Sequence, residues 1–203
     1  HAGTVTLIII TIGVALFLRG LAQLLWGKGV HRLPSFSSEQ PIEWLGATLM
    51  PQSLWVMGGA ALAVVALSAF YGRTLLGKAM RATSHNRIAA QLVGIDTRAV
   101  LLASFGLAAG LGALGGVLIA PIAFTSYDAG IMLGLKGFAA AMLGGLGSFA
   151  GAVLGGVVLG LLEGLGAGFV SSAYKDAIAF VVILLVLFLM PQGLLGGRGS
   201  ERV

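Results

Sequence analysis

Few residues in this chain are of types that perform chemistry. His1, His31 and His85 are scattered without ligand spacing, and there is no cysteine, which leaves neither a thiolate metal site nor a disulfide framework. Gly72-x4-Gly77-Lys78 nearly spells a phosphate loop. Ala79 stands where a hydroxyl must reach Mg²⁺, however, and the preceding run reads as a spanning helix rather than a strand. Gly110-x-Gly112-x-x-Gly115 matches a dinucleotide fingerprint in spelling alone, because it too sits inside an apolar run. No nucleophile stands with a base and an orienting group, so no catalytic residue, metal or cofactor is expected. The charges that remain of interest are Glu163, within a predicted helix where ionisable groups are rare and functional by default, and Lys136, at the start of the glycine-rich segment near the predicted outer face, where it reads first as a solvated loop charge.

The elements that carry them are read from composition. Of 203 residues, 58% are apolar and 9% charged, with a mean hydropathy of +1.01. A soluble domain carries roughly 25% charged residues. Twelve Lys/Arg and seven Asp/Glu cannot coat a water-soluble globule, so lipid is the solvent for most of the chain. This excludes a soluble enzyme, a disordered tail and a coiled coil. A span needs about 20 mostly apolar residues. Residues 2–18 read as a first span ended by Arg19, and 19–52 as a polar loop with three prolines. Pro51, at a position that needs no donor, opens a second span over 53–72. A third covers about 100–123, and a last one 177–197, stopped by Pro191. Between them the glycine-rich stretch reads as a short or re-entrant helix over about 132–146, then a helix over about 149–170. The predicted architecture is all-α, a polytopic transmembrane helical bundle forming one domain over 1–203.

Five of the twelve Lys/Arg fall between 73 and 98 against the single acid Asp96. That bias makes this loop and the C-terminal tail, with Arg198 and Arg202, cytoplasmic, and accounts for the net charge of +5 without nucleic acid. The loops 19–52, 124–130 and 171–176 are then external, with Trp26, Trp44 and Trp55 as interfacial anchors. Tyr127, Asp128, Tyr174, Lys175 and Asp176 read as solvated loop residues on that side. Glycines four apart share a helix face and let backbones approach in lipid. Two such ladders occur: Gly147, Gly151 and Gly155, then Gly156, Gly160, Gly164 and Gly168. They are expected to pack helices within the chain, or against a second subunit. Within the basic loop, Ser84 is placed to cap a short helix and Gly94 to end it, with Ile88, Ala89, Leu92 and Val93 as an apolar stripe. The stripe suits either a headgroup anchor or a docking helix.

Ala89-Ala90-x3-Gly94 echoes the Glu-Ala-Ala-x3-Gly core of ABC permease loops, with Ile88 in place of the Glu and no Ile-x-Leu-Pro downstream. GKAMRATSHNRIAAQLVGID (77–96), GFAAAMLGGLGSFAGAVLGG (137–156) and SSAYKDAIAFVVILLVLFLMPQGLLG (171–196), in that order and spacing, closely resemble the branched-chain amino acid ABC transporter permease family, over about Pro51 to Gly196. The resemblance implies an inner-membrane subunit that pairs with a related permease, two cytoplasmic ATPases and an extracytoplasmic substrate-binding protein. It also implies earlier spans that this chain lacks. By the same resemblance 73–98 is the coupling loop. Arg81, Ser84, His85, Asn86, Arg87 and Gly94 are its docking residues, and Ile88 and Leu92 fill an ATPase groove. Lys136 and Glu163 belong to the translocation path, to a subunit interface or to an internal ion pair. The cargo expected is a branched-chain or related amino acid. Urea, amides or sugars remain open for the same machine, as does a self-contained channel or secondary carrier.

Overall fold

The structure is a computed structural model, and it describes residues 4–38, 40–44, 47–123, 125–169, 171–190 and 192–195. Among the described residues the regular structure is helical apart from one small hairpin. Among them, four helices are long and apolar enough to cross a membrane: α1 (Thr4–Trp26), α2 (Pro51–Arg73), α5 (Thr97–Ile119) and α7 (Phe149–Phe169). Between α2 and α5 lie α3 (Leu75–His85) and α4 (Arg87–Leu92). The helix α6 (Ala129–Gly144) has 16 residues and α8 (Lys175–Leu189) has 15. The hairpin pairs β1 (Ile42–Trp44) with β2 (Ala47–Leu49) in antiparallel register, Glu43 opposite Thr48. The architecture is that of an all-α polytopic membrane protein.

Contacts divide the chain into two compact units, His1–Tyr127 and Asp128–Val203. In the first, α1 does not stop at Arg19 as expected. It runs on to Trp26 and ends at Gly27, whose φ of +78° is the left-handed conformation that closes helices. A single Arg does not break a helix when its guanidinium finds a partner, and that of Arg19 lies 5.2 Å from the centroid of the Tyr127 ring. Pro51 opens α2 where its missing N–H costs nothing. The loop before it, expected to be merely polar, is tied down. His31 and Thr125 exchange backbone hydrogen bonds of 2.8 and 2.9 Å. Gln52, only 3% exposed, accepts from the Phe36 N–H at 3.2 Å and donates to the Leu118 carbonyl at 3.0 Å. One amide thus fastens the loop to the start of α2 and the end of α5. Replacing it by Leu removes both hydrogen bonds, each worth about 0.5–1.5 kcal/mol net. Gln52→Leu is therefore expected to quicken proteolysis of the 34–44 segment in detergent, with overall helicity unchanged.

Little of α2 or α5 is buried within this unit, and their apolar flanks meet at a few points such as Gly59 against Leu118. In a bilayer those flanks need no partner from the same chain, since lipid is as apolar as leucine. The second unit is better packed. Ala139, Ala140 and Leu143 of α6, Leu159 of α7 and Ile183 of α8 form its core, with Val158, Phe180, Val186 and Leu187 against them. After α8 the chain returns to α6: the Leu194 and Leu195 N–H groups donate to the Leu143 and Gly144 carbonyls at 2.8 and 2.9 Å. Those bonds satisfy carbonyls that the end of α6 would leave bare. Pro191 and the tail residues Arg198 and Arg202 lie outside the described residues.

Candidate functional site

The basic connection between α2 and α5 is not one capped helix in a loop. Two helices are packed onto the ends of both spans. Thr74 makes the first corner, donating its hydroxyl to the Phe70 carbonyl at 2.7 Å and accepting the Gly77 N–H at 3.0 Å. It terminates α2 and caps α3 at once. Gly77, which in sequence suggested a phosphate loop, serves close approach: a Cβ there would strike the Phe70 carbonyl and lie 2.7 Å from the Tyr71 Cα. Ser84, expected as the helix cap, lies inside the last turn of α3 and donates to the Arg81 carbonyl at 2.8 Å. The cap of α4 is Asn86, whose Oδ1 accepts the Ala89 N–H at 3.0 Å. Ser and Asn two residues apart are near-equal cap formers. What sets Asn86 apart is that α3 extends to His85, which leaves Ser84 inside it. Gly94 takes φ +85° and ends α4, with the Ile95 N–H reaching the Ala90 carbonyl at 3.0 Å.

One further tie joins α4 to α5: Gln91 donates to the Thr97 hydroxyl at 2.9 Å. Asp96 caps α5 by accepting from the Arg98 N–H at 2.9 Å. Ala90, Thr97 and Val100 are buried with Met80. The other face of α4 is bare: Ile88 is 71% and Leu92 82% exposed, four residues apart on one side of the helix. Arg81, Ser84, His85, Asn86 and Arg87 are exposed as well. The surface is basic with two apolar knobs, carried on a module fixed to two spans. Asn86→Ala is expected to lower thermal stability by about 1 kcal/mol, the usual worth of a cap, and to fray α4 with α3 left intact. Hydrogen exchange at the amides of residues 87–92 checks it. Thr74, Gly77, Gln91 and Thr97 were not evident in sequence as parts of this module. Thr74 alone carried a signal, as a cap residue after the last charge of α2.

The second constellation is in α6 and α7. Lys136 Nζ and Glu163 Oε1 are 2.9 Å apart, with side chains 20% and 22% exposed. Of the glycines expected to pack helices, Gly151 and Gly155 lie against α6, where a Cβ would strike the carbonyls of Gly144 and Ala140. Gly147 is in the turn before α7, at φ +89°, rather than on a helix face. Gly156, Gly160 and Gly164 have nothing among the described residues within 4 Å of a Cβ. Tyr174 is exposed, Asp128 precedes α6 without capping it through its side chain, and the side chains of Trp44, Lys175 and Asp176 lie outside those described. A cleft of about 1280 Å³ in the first unit, between α2, α5 and the 37–42 segment, is lined by no charged residue and is mostly apolar, with Ser37, Ser38 and Gln40 at the loop side.

Residues 4–187 match the family model for the permease component of branched-chain amino acid transport systems. The high-affinity branched-chain amino acid transport system permease proteins LivH of Escherichia coli K12 and of Salmonella typhimurium are each 35% identical to this chain over 206 aligned positions, covering 97% of it. The corresponding protein BraD of Pseudomonas aeruginosa is 31% identical over 143 positions, 70% of this chain and 47% of its own length. The chain spans 65% of the length of the LivH proteins. No solved structure matches it.

Proposed function

The chain belongs to the permease-component family of branched-chain amino acid transport systems, and from that premise we propose that it is a membrane-spanning subunit of an ATP-driven importer that carries branched-chain amino acids across the inner membrane. The sequence spells no complete phosphate loop, and in this reading ATP is hydrolysed on two cytoplasmic ATPase subunits, as the family resemblance implies. A related permease completes the path, and an extracytoplasmic binding protein delivers the cargo. The observation that carries this reading is the α3–α4 module. Its bare basic face, with Ile88 and Leu92 as knobs, suits an ATPase groove. Its other face is locked to α2 through Thr74 and Gly77, and to α5 through Gln91 and Thr97. Closure of the ATPases would push on α4, and the push would reach both spans without slack.

The excess of Lys/Arg over 73–98 supports a cytoplasmic position for the module. On that orientation the segments bridged at His31 and Thr125 are external, where a binding protein docks. The test is uptake by the assembled transporter in proteoliposomes holding ATP. Labelled leucine should enter only with ATP and binding protein present. Uptake of urea in its place would reassign the cargo, and ion-driven uptake by the permease alone would overturn the reading.

A further inference from the structure

Lys136 and Glu163 are the only charged residues in α6 and α7, and they pair with each other. Lys136 is seven residues in from the start of α6 and Glu163 six residues back from the end of α7. At 1.5 Å per residue both lie about 10 Å in from the same end of the helix pair. The pair is not sealed: about a fifth of each side chain is open. Purely structural ion pairs at such depth are replaceable by well-packed apolar residues at no loss. An open one would face lipid at a cost unless protein or water lies beside it. Next to Glu163 on α7 is the face of Gly156, Gly160 and Gly164, where nothing among the described residues lies within 4 Å of a Cβ. An open, small-residue face of α7 therefore lies beside two opposite charges.

We infer that the Lys136–Glu163 pair is a transit site for the zwitterionic head of an α-amino acid, an inference that rests on the importer reading above. The carboxylate of the cargo takes the Lys136 ammonium, the ammonium of the cargo takes the Glu163 carboxylate, and the two side chains re-pair when it leaves. Every charge keeps a partner of opposite sign throughout, so no step leaves an ion bare at this depth. The apolar side chain of the cargo lies along the glycine face. The cleft of the first unit is lined by no charged residue.

The experiment uses the complete transporter, full permease chain included. In the double variant Lys136→Met with Glu163→Gln both charges of the pair are removed together. It should assemble, eluting with the wild type on size exclusion, while ATP-driven leucine uptake falls at least tenfold. An assembled double variant that takes up leucine within twofold of wild type overturns the inference. Should the variant not assemble, the wild type decides. Labelled leucine bound to the transporter in nanodiscs, without binding protein, should be displaced by valine. Displacement by 4-methylpentanoate, which lacks the ammonium, or by 3-methylbutylamine, which lacks the carboxylate, should need at least ten times the concentration. Equal displacement, or no leucine bound, overturns the transit site. A wild-type transporter that moves no amino acid sinks the importer reading itself. One that moves leucine beside an equally active double variant sinks only the role of the pair.

Discussion

Arg87→Glu is expected to cut ATP-driven uptake by roughly 30-fold or more while the chain still inserts and folds. Reversing a charge inside an interface removes one attraction and adds one repulsion, worth about 2 kcal/mol or more where the pair is desolvated. Arg87 is exposed, at the first turn of α4, and its side chain supports nothing within the protein. The cap on α4 comes from Asn86, and the anchoring from the buried Ala90 and from the Gln91 amide on the Thr97 hydroxyl, none of which uses the Arg87 guanidinium. The substitution even places an acid at a helix N-terminus, where it is tolerated or favoured. Whatever is lost is therefore lost from docking. The measurement is the ratio of leucine moved to ATP hydrolysed in proteoliposomes, with circular dichroism and membrane fractionation as controls for folding. An unchanged ratio would remove α4 from the coupling surface and leave it a headgroup anchor.

Gly155→Leu should be the most damaging change within the second unit. A Cβ at Gly155 strikes the Ala140 carbonyl and lies 2.8 Å from the Gly144 nitrogen, both backbone atoms of α6. Backbone cannot swing aside as a long side chain can, so the two helices must part. Separation uncovers Ala139, Ala140, Leu143 and Leu159 and loosens the contacts that stand in for the hydrophobic effect between helices in lipid. Overpacking typically costs 1–3 kcal/mol. With a four-carbon side chain against backbone, about 3 kcal/mol or more is expected, seen as a fall in melting temperature in detergent. Gly160→Leu is the matched control, since nothing among the described residues stands near that position. It should leave the melting temperature of the isolated permease unchanged. If a second permease covers that face, Gly160→Leu should reduce co-purification of the partner instead.

Much of this was legible in the residues because the bilayer imposes simple rules. A segment without charge for 20 residues has few places to go but across, and so α2, α5 and α7 fall within a few residues of where composition put them. Pro51 and Gly94 act through their own backbone restrictions, which need no neighbours, and both do what their types require. Arg19 misled because a charge in sequence gives no sign of whether a ring such as that of Tyr127 will be there to receive it. Ser84 misled for a related reason. Ser84 and Asn86 are equivalent by local chemistry, and the choice between them depended on how far α3 continued.

The glycines draw the line most clearly. The sequence by itself determined that helices here could approach to backbone distance, because the absence of a Cβ every fourth residue is a local property of one helix. It also determined the number of apolar helices, the basic character of the connection after α2 and the presence of two opposite charges in the apolar segments. Only the tertiary structure decided which glycines are used. Gly151 and Gly155 meet α6, while Gly156, Gly160 and Gly164, identical in type and spacing, meet nothing among the described residues. Only it decided that Lys136 and Glu163, 27 positions apart, lie 2.9 Å from each other. The reason is that the direction in which a helix turns its faces depends on the turn that precedes it, here Gly145 and Gly147 in left-handed conformations. A rotation of a few tens of degrees there would exchange the buried face of α7 for the open one.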